Sequence, residues 1–137
     1  MRWSVMGYFR FIFILAVTGL VFETTGVGHA EGLRGQEKKL LKLTMSNWVH
    51  FRDWNGRQLI YFTHLEVYRC GIRKVQYSLN SDALDRTYEL QPCDPKEPNT
   101  VTTDKPYISL PLGTARSISV QITFEDGMQS EIVRQKP

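Results

Sequence analysis

Ser117-Ile118-Ser119-Val120-Gln121-Ile122-Thr123-Phe124 sets four apolar side chains strictly against four small polar ones, and Glu125-Asp126-Gly127 follows at once. Successive side chains of an extended strand point to opposite faces, so this period of two describes a strand with one buried face and one wet face. The turn after it admits two registers. A two-residue loop pairs Ile122 with Glu131 and sets a charge beside the core. A three-residue loop with Gly127 left-handed pairs Phe124 with Met128 and Val120 with Ile132. The second register keeps apolar residues together and is the one predicted.

The same period runs upstream. Val75, Tyr77 and Leu79 alternate with Lys74, Gln76 and Ser78, and Asn80-Ser81-Asp82 supplies a turn. Short strands are predicted from Thr87 to Leu90 and from Tyr107 to Leu110, the latter ended by Pro111 and Gly113. Between them Asp94-Pro95-Lys96-Glu97-Pro98-Asn99 is too rich in proline for a helix or a central strand and reads as a loop. Further back, Asn55-Gly56 separates two aromatic and aliphatic runs. That pair favours two left-handed residues in succession and predicts a tight hairpin, with strands from about Met45 to Trp54 and from Arg57 to Tyr68. No segment is long enough for a substantial helix. The expected fold is all-β: a single antiparallel immunoglobulin-like β-sandwich of about seven strands over residues 44–137, with a small β-barrel as the alternative.

Residues 1–30 have the layout of a cleavable signal peptide: Arg2 and Arg10 in a basic head, an apolar run from Phe11 to Phe22, and a small-residue ending at Gly28-His29-Ala30. The apolar run falls short of the ~20 residues a membrane-crossing helix needs, so no stable membrane anchor is expected after cleavage. Residues 31–43, with Lys38, Lys39 and Lys42, read as a flexible basic N-terminal arm. Removing 1–30 takes Arg2, Arg10 and Glu23 from the 17 basic and 14 acidic side chains. The interspersed charges left do not form the concentrated basic face that nucleic acid requires. Export places the protein in the periplasm or outside the cell, where Cys70 and Cys93 are expected to form a disulfide. Neither cysteine has the C-x-x-C spacing or the neighbouring histidine that would activate a thiol.

Tyr77-Ser78-Leu79-Asn80 followed by Tyr88-Glu89-Leu90, and Ser119 to Gly127 followed by Ser130-Glu131, resemble the strand-turn-strand segment and closing hairpin of small accessory sandwich modules in bacterial exported proteins. The C-terminal module of chitobiases and fibronectin type III-like modules are the families in question. The resemblance covers the second half of the mature chain, implies architecture only, and transfers no catalytic residue. The cysteine pair is not part of its pattern.

Function classes narrow accordingly. A two-residue hairpin loop at Asn55-Gly56 places Val49, Phe51, Ile60 and Phe62 on one face, the evident core side. Trp48, His50, Arg52 and Trp54 lie on the other, opposite Thr63, Tyr61, Leu59 and Arg57. Trp, Tyr and Arg combine large contact area with a polar handle, so Trp48, Arg52, Trp54, Arg57 and Tyr61 are the candidate binding residues for a protein or cell-envelope glycan partner. The competing reading is that the rest of the chain covers these rings. His50 and His64 fall on opposite faces if the strand continues, which argues against a shared metal, and no cofactor is expected. Asp82, Asp85 and Glu89 lack the spacing of a calcium loop. There is no Gly-x-Ser-x-Gly elbow, and Asp94 and Glu97 sit in a solvated loop, so no catalytic residue and no enzymatic activity are assigned. The expected function is a non-catalytic exported binding module. The alternative is an envelope subunit or assembly factor acting by β-strand addition, with a small hydrolase or enzyme inhibitor behind both.

Overall fold

The computed structural model describes residues 35–137, so the predicted signal peptide lies outside the described residues. Among the described residues seven strands form two antiparallel sheets: β1 (His50–Trp54), β2 (Arg57–Tyr61) and β5 (Tyr107–Pro111) in the order β1-β2-β5, and β3 (Ile72–Leu79), β4 (Arg86–Tyr88), β6 (Ile118–Phe124) and β7 (Val133–Gln135) in the order β4-β3-β6-β7. The sheets do not close into a barrel. The arrangement is an immunoglobulin-like sandwich with β4 on the sheet of β3 and β6.

The alternation in the sequence becomes the core. Ile118, Val120, Ile122 and Phe124 of β6 join Val75 and Tyr77 of β3, and meet Ile60 of β2 and Phe62 just after it. Phe62 lies at the centre, its ring stacked on Tyr88 at 4.0 Å and tilted against Tyr77 at 5.6 Å. Asn55 and Gly56 have φ of 47° and 71°, so the tip of the first hairpin has two left-handed residues as predicted, and His50 pairs with Tyr61 through to Trp54 with Arg57.

The second hairpin follows the predicted register only near its tip. Gly127 is left-handed, the Phe124 N–H donates to Met128 O at 2.8 Å, and Thr123 bridges Gln129. Further along, Val120 pairs with Val133 and not with Ile132. The slip occurs beside Ser130, whose hydroxyl accepts from the Ile122 N–H and donates to Glu131 O. This irregularity turns Ile132 out to solvent and packs Val133 against the core.

Among the described residues, four short helical pieces stand where the sequence reads mostly as strand or arm. Glu37–Leu43 is a helix, α1, followed by a 3-10 turn at Met45–Asn47; Thr63–Val67 is α2, followed by a 3-10 turn at Arg69–Gly71. The expected flexible arm is thus held in place from Glu37 onward. Alone the segment is too short to be helical, but packing supplies what propensity lacks. Leu41 is fully buried, its carbonyl accepts from Trp48 Nε1 at 3.0 Å, and Lys38 and Lys42 lie over the Phe124 ring. Gly71 permits the contact: a Cβ there would stand 2.4 Å from Glu37 Cβ.

Candidate binding face

The outward positions of the three-stranded sheet follow from its register. They are His50, Arg52 and Trp54 on β1, Tyr61, Leu59 and Arg57 on β2, and Tyr107, Ser109 and Pro111 on β5. Four of the five predicted binding residues therefore share one face. Trp54 is 58% exposed at the hairpin tip, and the Arg52 guanidinium lies 4.9 Å over its ring. Tyr61 is half-buried and tilts against Tyr107, centroids 5.0 Å apart. Arg57 reaches across to β5, where Nε donates to Ser109 Oγ and Nη2 to Ser109 O, each at 3.0 Å. Beneath these side chains Leu59, only 5% exposed, forms an aliphatic floor.

Trp48 does not belong to this face. It is completely buried in the core and stands before β1 begins, because the chain is in a 3-10 turn at Met45–Asn47 and the strand alternation does not extend back to it. Thr63 likewise leaves the face, since the strand ends at Tyr61 and Thr63 opens α2. Tyr107, Ser109 and Lys105 are added to it. Together with Trp54, Asn55, Arg57 and Leu59 they line an open groove of about 360 Å³. The period-two spacing of Lys105, Tyr107 and Ser109 is present in the sequence, but only the pairing of β5 with β2 puts them beside Arg57.

Electrostatically the face is one-sided. None of its nine outward strand positions is Asp or Glu, while Arg52, Arg57 and nearby Lys105 are cationic. Among the described residues Arg52 donates no hydrogen bond and joins no ion pair.

The Gln135 side chain from β7 engages the chain just ahead of β1, where it accepts from the Val49 N–H at 3.2 Å and donates to Ser46 O. On β5, the Ser109 carbonyl is taken by Arg57, and Pro111 has no N–H to offer.

A larger groove, about 610 Å³, lies beside β3, β4 and the Cys70–Cys93 disulfide, and at one end of it Arg69, Tyr88 and Gln91 are engaged within the fold. Arg69 donates to Glu66 O, Pro92 O, Glu97 O and Pro98 O, tying down the proline-rich loop. The Glu66 carboxylate, 1% exposed, accepts from Tyr88 Oη, the Gln91 N–H and Gln91 Nε2. Burial, reinforced by that carboxylate, pushes the Tyr88 phenol well above the ordinary tyrosine range. The disulfide joins the second 3-10 turn to the chain just before this loop, which fits an oxidising compartment. Among the described residues no helix is long and apolar enough to cross a membrane.

The two histidines are not disposed as the sequence suggests. His64 sits on α2, where Thr44 Oγ1 donates to Leu40 O and thereby leaves the His64 Nε2–H to donate to Thr44 Oγ1, at 2.8 Å. Burial, and then the charge of His50 nearby, lower the His64 pKa. Asp82 accepts from Ser119 and pairs with Arg134; the hydrogen bond from Arg134, followed by that from Ser119, holds its carboxyl below the usual range. Among the described residues no group of three or more His, Cys, Asp or Glu side chains is placed to hold a metal ion. Set against family models, curated proteins and solved structures, the chain has no match.

Proposed function

We propose that this protein is a non-catalytic exported binding module, periplasmic or secreted, which presents Arg52, Trp54, Arg57 and Tyr61 to a protein or cell-envelope glycan partner. The observation that carries this reading is the pairing of an exposed Trp54 with an Arg52 lacking any partner among the described residues, over a floor already sealed by Leu59. Ser109 fixes Arg57 and the Tyr107 ring braces Tyr61, so little ordering entropy is lost at those two positions on binding. The buried carboxylate of Glu66 and the half-buried His64 are both engaged in hydrogen bonds within the fold, which supports a binding role over a hydrolytic one.

Strand addition, the second reading, is disfavoured on β5, where Arg57 takes the Ser109 carbonyl and Pro111 has no N–H. The test is recovery of envelope material on immobilised mature protein. Arg52→Ala with Trp54→Ala should abolish specific recovery while circular dichroism stays unchanged. Recovery equal to that of the parent would reject the face, and an obligate oligomer in solution would revive strand addition.

A further inference from the structure

Resting on the reading of this face as a binding surface, we infer that its ligand is a polysaccharide whose sugar units carry carboxylates. Three features of the face converge on that chemistry.

The first is the balance of donors and acceptors. Sugar hydroxyls both give and take hydrogen bonds, and a site for neutral sugars needs carboxylate or amide acceptors beside its donors. The outward strand positions hold no carboxylate and the groove a single amide, that of Asn55 at the hairpin tip, while the guanidinium and ammonium groups beside it donate without accepting. A ligand that brings its own carboxylates matches this inventory. Arg52 keeps its donors uncommitted, and Arg57 commits only Nε and Nη2, leaving Nη1 without a protein acceptor among the described residues. Guanidinium forks of this kind bind carboxylates through paired hydrogen bonds.

The second is the spacing of flat surfaces. Trp54 stands at the tip of the hairpin, and Tyr107 lies across the groove beyond Arg57 and Leu59. Arg52 lies over the indole at 4.9 Å, so ring and charge are offered as one unit. A chain of sugar rings with a carboxylate on successive units repeats that combination of flat face and negative charge.

The third separates a glycan from an acidic peptide. An extended peptide adds to a sheet through backbone hydrogen bonds at an edge. On β5, the edge strand that lines the groove, Arg57 occupies the Ser109 carbonyl and Pro111 has no N–H, so the groove offers a side-chain surface, suited to a ligand that lies across the strands.

The experiment uses the mature protein in affinity electrophoresis and calorimetry with polygalacturonate, alginate and hyaluronan. Fully methyl-esterified polygalacturonate serves as the same sugar without its charge, and poly-L-glutamate as the charge without the sugar. Binding to at least one acidic polysaccharide is expected, weakened at least about tenfold by Trp54→Ala and severalfold by Arg52→Gln, lost on esterification, and not reproduced by poly-L-glutamate. Equal binding to the esterified polymer, sensitive to Trp54→Ala, would overturn the charge requirement and leave the binding face standing. Equal binding to poly-L-glutamate would overturn the glycan and point to an acidic protein. Binding to none of these polymers, with envelope recovery still dependent on Trp54, would overturn this inference alone; loss of both would overturn the binding face as well.

Discussion

The two sheets turn very different outer faces to solvent. On the four-stranded sheet the outward side chains are Lys74, Gln76, Ser78, Thr87, Ser119, Gln121, Thr123 and Arg134, nearly all of them polar and small or amide-bearing. Half of these side chains bond within the fold: Ser78 donates to Ser81 O, Ser119 to Asp82, Gln121 to Ser130 O, and Arg134 pairs with Asp82. On the three-stranded sheet the outward positions are bulky, aromatic or cationic, and Arg52 is left without a partner among the described residues. The four-stranded face thus spends part of its donors on its own loops, while the three-stranded face carries unused donors beside exposed ring surface. That conjunction of ring and uncommitted cation, and not cavity size, motivates the proposed binding surface.

The contrast is sharpest in two tryptophans six positions apart. Trp48→Ala should cost about 3–5 kcal/mol, because it empties a fully buried site and removes the indole N–H that donates to the Leu41 carbonyl. Trp54→Ala should change stability by no more than about 0.5 kcal/mol while removing ligand capture. Chemical denaturation of both variants checks the pair; a large loss for Trp54→Ala would make the outer face an extension of the core and end the distinction.

A smaller effect, about 1 kcal/mol, is expected for Ser119→Ala, which removes one buried hydroxyl from the four-stranded sheet. Ligand capture should survive it. Impaired capture with an intact fold would show that the four-stranded face also binds.

The smallest effect is a pH dependence. The folded His64 pKa lies below its ordinary 6.5, so the unfolded chain binds more protons in the interval between the two values. The stability that His64 contributes is therefore complete above about pH 6.5 and declines as pH falls toward the folded value. Thermal midpoints measured across that interval should slope downward with acidification, and His64→Gln should flatten the slope. The lowered carboxyl of Asp82 acts in a separate, more acidic window: its contribution is present above its ordinary 3.8 and is lost as pH drops through the folded value.

Much of this was legible in the residues themselves. Period two reported β3 and β6, and Asn55-Gly56 reported a hairpin whose register could be written down pair by pair. Strand ends were less accessible. The runs through Met45 and Tyr68 contain enough aromatic and branched residues to read as strand, yet both finish in short helical turns decided by tertiary packing around Leu41, Trp48 and Leu65. That error moved Trp48 from the core to the contact face. The α1 helix was missed for a related reason: it exists because Gly71 lets Glu37 approach, a contact 34 positions away in the chain that no local pattern carries. Of the binding face, the β1 and β2 part was readable from the hairpin, while Lys105, Tyr107 and Ser109 needed the knowledge of which strand lies beside β2.

The amide of Gln135 that fastens the chain ahead of β1 lies 86 positions downstream of the Val49 group it engages. During synthesis that junction, and the edge of β6 that β7 covers, therefore stay open until the last strand arrives. Chains cut short before β7 should stick to one another even if everything upstream has folded.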